Sequence, residues 1–298
     1  MQVGNNTGFK FLSVFRQGDI VTKLIFINVA IFLIIGLASV FLRLFNFPAQ
    51  GWTCWLYLPA SFERFLIQPW TLLTYMFVHT DIFHILFNML WLYWFGKLFL
   101  NFFSAKHLRG LYILGGLTGG LTYVIGYHLF PYFSAQIDTS LLMGASASVL
   151  AIVVATAVSQ PDYAVRFLFI GIVKLKYIAL VMIVFDLLLM TSGNAGGHIA
   201  HIGGALGGWW FAAGLKKGHD AVKWINQILD FLSGRRIRSK KPKMKVHYAT
   251  DRQKDYDYNA RKKERAEEID RILDKVRNSG YGSLSEEEKK SLFDASKK

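Results

Sequence analysis

Cysteine is all but missing from this 298-residue chain: Cys54 is the only one, so no intramolecular disulfide can brace the fold. Charge is also scarce, at 18% Asp, Glu, Lys and Arg, whereas 53% of residues are hydrophobic and the mean hydropathy is +0.30. That balance is too apolar for an ordinary soluble domain and points to a membrane protein. No small-residue cleavage pattern follows the first long apolar run, which begins near Ile20, so a removable signal peptide is not expected. What charge there is lies unevenly. Residues 1 to 215 hold 11 Lys/Arg and 6 Asp/Glu, whereas residues 216 to 298 hold 23 and 14, so +9 of the net +14 sits in the tail. Beside membrane spans such an excess marks the cytoplasmic side and contact with anionic lipid, not nucleic acid.

The order of apolar segments predicts an all-α membrane protein. A cytoplasmic lead (1 to 20) precedes a membrane domain (21 to 215) whose six expected spans lie near 21–42, 71–98, 111–130, 141–157, 177–190 and 197–215. The longest of these match the roughly 20 residues that cross a bilayer. The aromatic, proline-broken stretch from Phe45 to Trp70 is too irregular to cross and reads as an interfacial loop. Lys10, Arg16 and Lys23, then Lys97, Lys106 and Arg109, then Arg166, Lys174 and Lys176 alternate with loops almost free of basic residues. Both termini are therefore expected in the cytoplasm. A juxtamembrane helix with a basic linker (216 to 247) follows, with Trp224, Ile225, Ile228 and Leu229 expected on one side. The chain closes with a small helical extension (248 to 298). There Tyr248 to Tyr258 read as disordered, a helix is expected from Ala260 to Arg277, and Ser285 with Glu288 has the spacing of a capping box.

Three apolar segments carry polar side chains that need an explanation. Gly144-Ala145-Ser146 opens the fourth span. His84 and Asn88, four apart and so on one helix face, lie in the second. His198 and His201 lie in the sixth, ahead of Gly204 and Gly208. Peptide hydrolysis needs a nucleophile, a base and donors for the developing oxyanion. Ser146 fits the first role and His201 the second. His84, Asn88 and the Ser146 backbone N–H fit the third. Gly144, Gly204 and Gly208 would let two backbones approach closely. The bland alternatives are a packing serine that bonds its own helix and a structural His84–Asn88 pair. Ser148, on the other side of its helix, reads as packing. His79 and His198 read as structural or gating residues. No acid is evident to orient His201, and Asp186 in the fifth span reads as structural. No metal and no cofactor are expected: His-x-x-His lacks the glutamate of a zinc protease helix, and no carboxylate neighbours His84.

These residues carry a resemblance. Pro69-Trp70, His79, His84-Ile85-Leu86-Phe87-Asn88, Gly144-Ala145-Ser146 and Ala200-His201-Ile202-Gly203-Gly204 with Gly208 resemble the motifs of rhomboid intramembrane serine proteases, in that family's order. The resemblance covers about residues 20 to 215. It implies a six-transmembrane-helix bundle in a bacterial cytoplasmic membrane, with a hydrated cavity open to the outer side. Transmembrane proteins would be its substrates, entering between spans two and five. Thr71, where many members have arginine, and Leu150, where an aromatic is common, depart from the pattern. A catalytically silent binder of transmembrane helices is the alternative, and a small-solute transporter finds no inverted repeat to support it.

Overall fold

A computed structural model describes residues 17–47, 51–167, 171–234 and 252–296. The chain divides into two compact units, Met1–Ile237 and Arg238–Lys298.

The first unit is built on helices. Helix α1 (Ile20–Leu44) starts on an Asp19 cap whose carboxylate accepts the Thr22 N–H, and it leaves most of its apolar surface outward. After it come a short 3-10 turn (Trp52–Trp55), strand β1 (Leu58–Pro59) and two short helices, α2 (Phe62–Ile67) and α3 (Thr71–Thr74). Then come α4 (Ile82–Leu100), α5 (Ala105–Leu129), strand β2 (Leu141–Leu142) and α6 (Ser146–Ser159). Strands β3 (Ala164–Phe167) and β4 (Gly171–Lys174) form an antiparallel hairpin that leads into α7 (Leu175–Leu188) and α8 (Ala195–Lys216). Residues 168–170 lie outside the described residues.

Among the described residues, α1, α4 and α5 are long and apolar enough to cross a membrane, and α6 is a shorter apolar helix. At 14 residues α6 is about 21 Å long. It packs against α4, α5, α7 and α8, and every position from Ala147 to Ala157 is buried. A helix so enclosed meets protein rather than lipid, so its polar first turn is sheltered by neighbours.

Two expected spans are interrupted. The segment expected as one span from 71 to 98 breaks after α3 and a 3-10 turn (Tyr75–Phe77), because Val78 is extended and Asp81 caps a new helix by accepting the His84 N–H at 2.9 Å. The run expected from 141 begins as β2, paired antiparallel with β1 (Leu58 opposite Leu142), and turns helical only at Ser146. Gly144 at φ +117° forces that break.

Past α8, Gly218 (φ +81°) turns the chain into α9 (Lys223–Leu232). Of the apolar residues expected on one side of this helix, Ile225 is buried while Trp224 and Ile228 are half exposed, and Asn226 and Asp230 are buried beside Ile225. Polar bonds turn the helix this way. The Asp230 carboxylate accepts from Lys106 and Arg109, and Asn226 accepts twice from Arg109 while donating to the Lys106 carbonyl. The two cations hold the Asp230 carboxyl below the usual carboxylate range.

The second unit, by itself, is a helix pair. Helix α10 (Arg252–Ser279) begins earlier than expected, so residues 252–258 are helical rather than disordered; 248–251 and the basic run 235–245 lie outside the described residues. Gly280 at φ +75° ends α10, and α11 (Glu286–Ser296) follows. Its capping box is formed: the Ser285 N–H donates to the Glu288 carboxylate at 2.7 Å and the Glu288 N–H to Ser285 Oγ at 3.3 Å. Ile272 and Leu284 are buried.

Candidate active site

The site grows from the turn between β2 and α6. The Gly144 N–H donates to the Tyr75 carbonyl at 2.9 Å and the Ala145 N–H to His79 Nε2 at 3.3 Å, so one backbone and one side-chain acceptor fix the turn. A Cβ on Gly144 would lie 2.7 Å from Cε1 and 2.8 Å from Nε2 of His84, which means that this imidazole rests against the Gly144 backbone. Only glycine allows both the positive φ and the approach. Ser146 is then the first residue of α6 and is half-buried. No side chain caps the helix, and among the described residues the N–H groups of Ser146, Ala147 and Ser148 have no acceptor outside it. Unbonded N–H groups at a helix start attract negative charge.

Helix α8 supplies the histidines. A Cβ on Gly204 would meet the Ala147 backbone, with its carbonyl carbon at 2.8 Å and Cα at 3.0 Å, and one on Gly208 would meet the Ala151 backbone at 2.9–3.0 Å. Both partners advance by four residues, so α6 and α8 run parallel in close backbone contact. His201, three residues before Gly204, therefore stands level with Gly144, two residues from Ser146 and about 3 Å away along the axis. His201 also lies within coulombic reach of His84. Among the described residues no hydrogen bond joins Ser146 to His201.

Sequence reasoning missed the role of Asp186. Its Oδ1 accepts from His201 Nδ1 at 2.7 Å and from His198 Nδ1 at 2.9 Å. Asp186 is buried, and it is the only acid in the apolar helix α7. That isolation was the available signal, since a carboxylate in such a helix needs donors from a neighbour. The ligand atoms of Asp186, His198 and His201 lie within 4.8 Å of one another and could hold a metal ion. The two imidazole-to-carboxylate bonds already account for their placement.

The other expected residues are dispersed around this centre. Asn88, buried in α4, donates one N–H to the His84 carbonyl at 2.9 Å and keeps a second donor. The His79 and His84 rings stand 5.1 Å apart. His84 also lines a cavity of about 350 Å³ with Thr80, Leu141, Leu142, Met143 and Asn194. Trp70 Nε1 donates to the Trp55 carbonyl at 2.8 Å and its ring stacks on Trp55. Thr71 is buried and bonds the Gln68 carbonyl, while Arg64 reaches the Asp138 carbonyl at 2.9 Å and ties the interfacial loop to the segment before β2. Leu150 is buried in the core.

The Rhomboid domain family matches residues 67–218, a stretch that contains the turn, both glycine contacts and all four histidines of the cluster. The chain belongs to the rhomboid family. It is an integral membrane protein of that family, which includes serine intramembrane proteases. Residues 252–298 match a family of unknown function (DUF6576). A curated relative, RHOMBOID-like protein 12, mitochondrial, of Arabidopsis thaliana, is 31% identical over 144 residues. That similarity covers 45% of this chain and 43% of the plant protein, so the chain matches less than half the length of its relative.

Proposed function

We propose that this rhomboid protein is an intramembrane serine endopeptidase that cuts transmembrane segments of membrane proteins. The observation that carries the reading is the register of α6 and α8. Two glycines pressed on the Ala147 and Ala151 backbones bring the imidazole of His201 level with the turn that presents Ser146. In this reading the chain crosses the membrane six times with both termini in the cytoplasm and the site opening outward, as the Lys/Arg bias of the loops favours.

Ser146 Oγ attacks the scissile carbonyl carbon while its proton passes to His201 Nε2. The charge formed on the carbonyl oxygen is held by the Ser146 N–H at the start of α6 and by the side chains of His84 and Asn88. His201 then protonates the leaving amide nitrogen and the C–N bond breaks, leaving an acyl group on Ser146. Water attacks that ester, gives its proton to His201, and the proton returns to Ser146 as the carboxylic acid leaves. The resting hydroxyl is unbonded among the described residues, and such pairs tighten once substrate is bound.

A fluorophosphonate probe tests the reading on the full chain in liposomes. Wild-type protein should be labelled and should cleave a single-span reporter, whereas S146A and H201A should each lose both while keeping expression. Full cleavage by either variant overturns the assignment. Wild-type protein that captures the reporter but is neither labelled nor active would instead mark a catalytically silent binder of transmembrane helices.

A further inference from the structure

Asp186 sits on α7, outside the motifs that carry the resemblance, yet it touches the proposed base. One carboxylate oxygen receives two imidazole N–H groups, from His201 at 2.7 Å and His198 at 2.9 Å. An ionised Asp186 calls for a ring proton on each Nδ1, and in the neutral imidazole Nε2 then keeps its lone pair. For His201 that is the tautomer a base facing Ser146 requires. The arrangement also explains why two histidines are present. A lone carboxylate in the apolar helix α7 is costly, and a second donor offsets that cost without taking His201 away.

Building on the protease reading, we propose that Asp186 is a positioning residue that completes a Ser146–His201–Asp186 triad, fixing the His201 tautomer and stabilising the imidazolium formed when Ser146 attacks. His198 shares the same oxygen and keeps the carboxylate charged and in place. No covalent step is added to the mechanism. As His201 takes the serine proton at Nε2 it becomes a cation, and the Asp186 charge lies directly against its other nitrogen. Charge-assisted hydrogen bonds of this kind are roughly twice as strong as neutral ones, so the bond strengthens during the reaction.

The replacement D186N separates charge from shape. An asparagine oxygen can still accept both N–H groups, so a purely structural acceptor would be well replaced. A residue that stabilises the imidazolium would not. The proposal expects D186N to unfold at the wild-type temperature within a few degrees and to bind reporter with KM within about twofold. It expects kcat and the rate of fluorophosphonate labelling at Ser146 both to fall roughly 10- to 100-fold. Labelling of D186N at the wild-type rate overturns it. Because the variant could fold poorly, ¹⁵N-histidine spectra of unmodified protein, assigned against H201A, read the same contact directly. A neutral His201 protonated on Nδ1 supports the triad and one protonated on Nε2 refutes it. The protease reading fails separately, if wild-type protein takes no label at all.

Discussion

The contact most open to a clean perturbation is Gly204 against Ala147. In G204A the new Cβ would lie 2.8 Å from the Ala147 carbonyl carbon, and closer still to its oxygen, where non-bonded carbons ordinarily stand about 3.5–4.0 Å apart. The shortfall is therefore about 0.7–1.2 Å. Every obstructing atom belongs to backbone, so no side chain can swing aside and α8 must move away from α6 as a unit. Replacing a helical glycine by alanine gains at most about 1 kcal/mol in propensity, while overpacking of this kind costs about 1–3 kcal/mol, so the net effect is destabilising. Catalysis should suffer more than stability, because α8 carries His201 and a misplacement of about 1 Å can cost about 10²-fold. Reporter cleavage, probe labelling and thermal unfolding should be measured on G204A beside G36A, whose new Cβ meets nothing within 4 Å. G36A should behave like wild-type protein. If G204A cleaves within twofold of it as well, the close helix contact does not set the position of the base.

Other outcomes follow from separate parts of the structure. G144A needs a left-handed backbone at φ +117° and drives a methyl into the His84 ring, so labelling should fall at least about tenfold with expression retained. N28A removes a buried amide that donates to the Leu24 carbonyl at 2.9 Å and to the Tyr112 hydroxyl at 3.1 Å, which should lower stability by about 1–3 kcal/mol in denaturant titration. Docking of α9 should depend on acid. Lys106 and Arg109 hold the Asp230 carboxyl below its unfolded value of about 3.9, so the stabilisation is complete above that pH and disappears as pH falls through the lower folded value. Amide exchange in α9 should be flat from neutrality to about pH 5, after correction for intrinsic rates, and should rise below about pH 4; a flat profile to pH 3 would sink that account.

Much of the helix order was legible because hydrophobicity is a local signal, and its interruptions were the part that failed. Between 71 and 98 the apolar run continues through Val78, so hydropathy alone could not show that the Asp81 cap starts a new helix. The same holds at 141, where Leu141 and Leu142 are apolar enough for a span but spend their backbone groups on β1. In α9 the apolar side was legible, but the bonds from Lys106 and Arg109, more than 110 residues away, that hold its polar side were not. The site was legible where its residues lie within motifs, as with Gly144 and Ser146. Asp186 belongs to no motif and is joined to His201 only by the packing of α7 beside α8.

That dependence on packing also bears on which serine of Ser146-Ala147-Ser148 reacts. The two hydroxyls are two residues apart, about 200° around the helix, so the turn that opens one to the site encloses the other. Ser148 is fully buried, and among the described residues its Oγ has no hydrogen-bond partner; it lies 2.9 Å from the position a Cβ would take on Gly116. A buried, unbonded hydroxyl costs stability, and alanine at that position would remove it along with a propensity penalty. S148A should therefore unfold at the wild-type temperature or above it, by up to about 1–2 kcal/mol, and should keep full labelling and cleavage. A nucleophile at position 148 predicts the reverse: a dead S148A and a labelled S146A. Such a result would place the reacting oxygen on the α5 side of α6, facing Gly116.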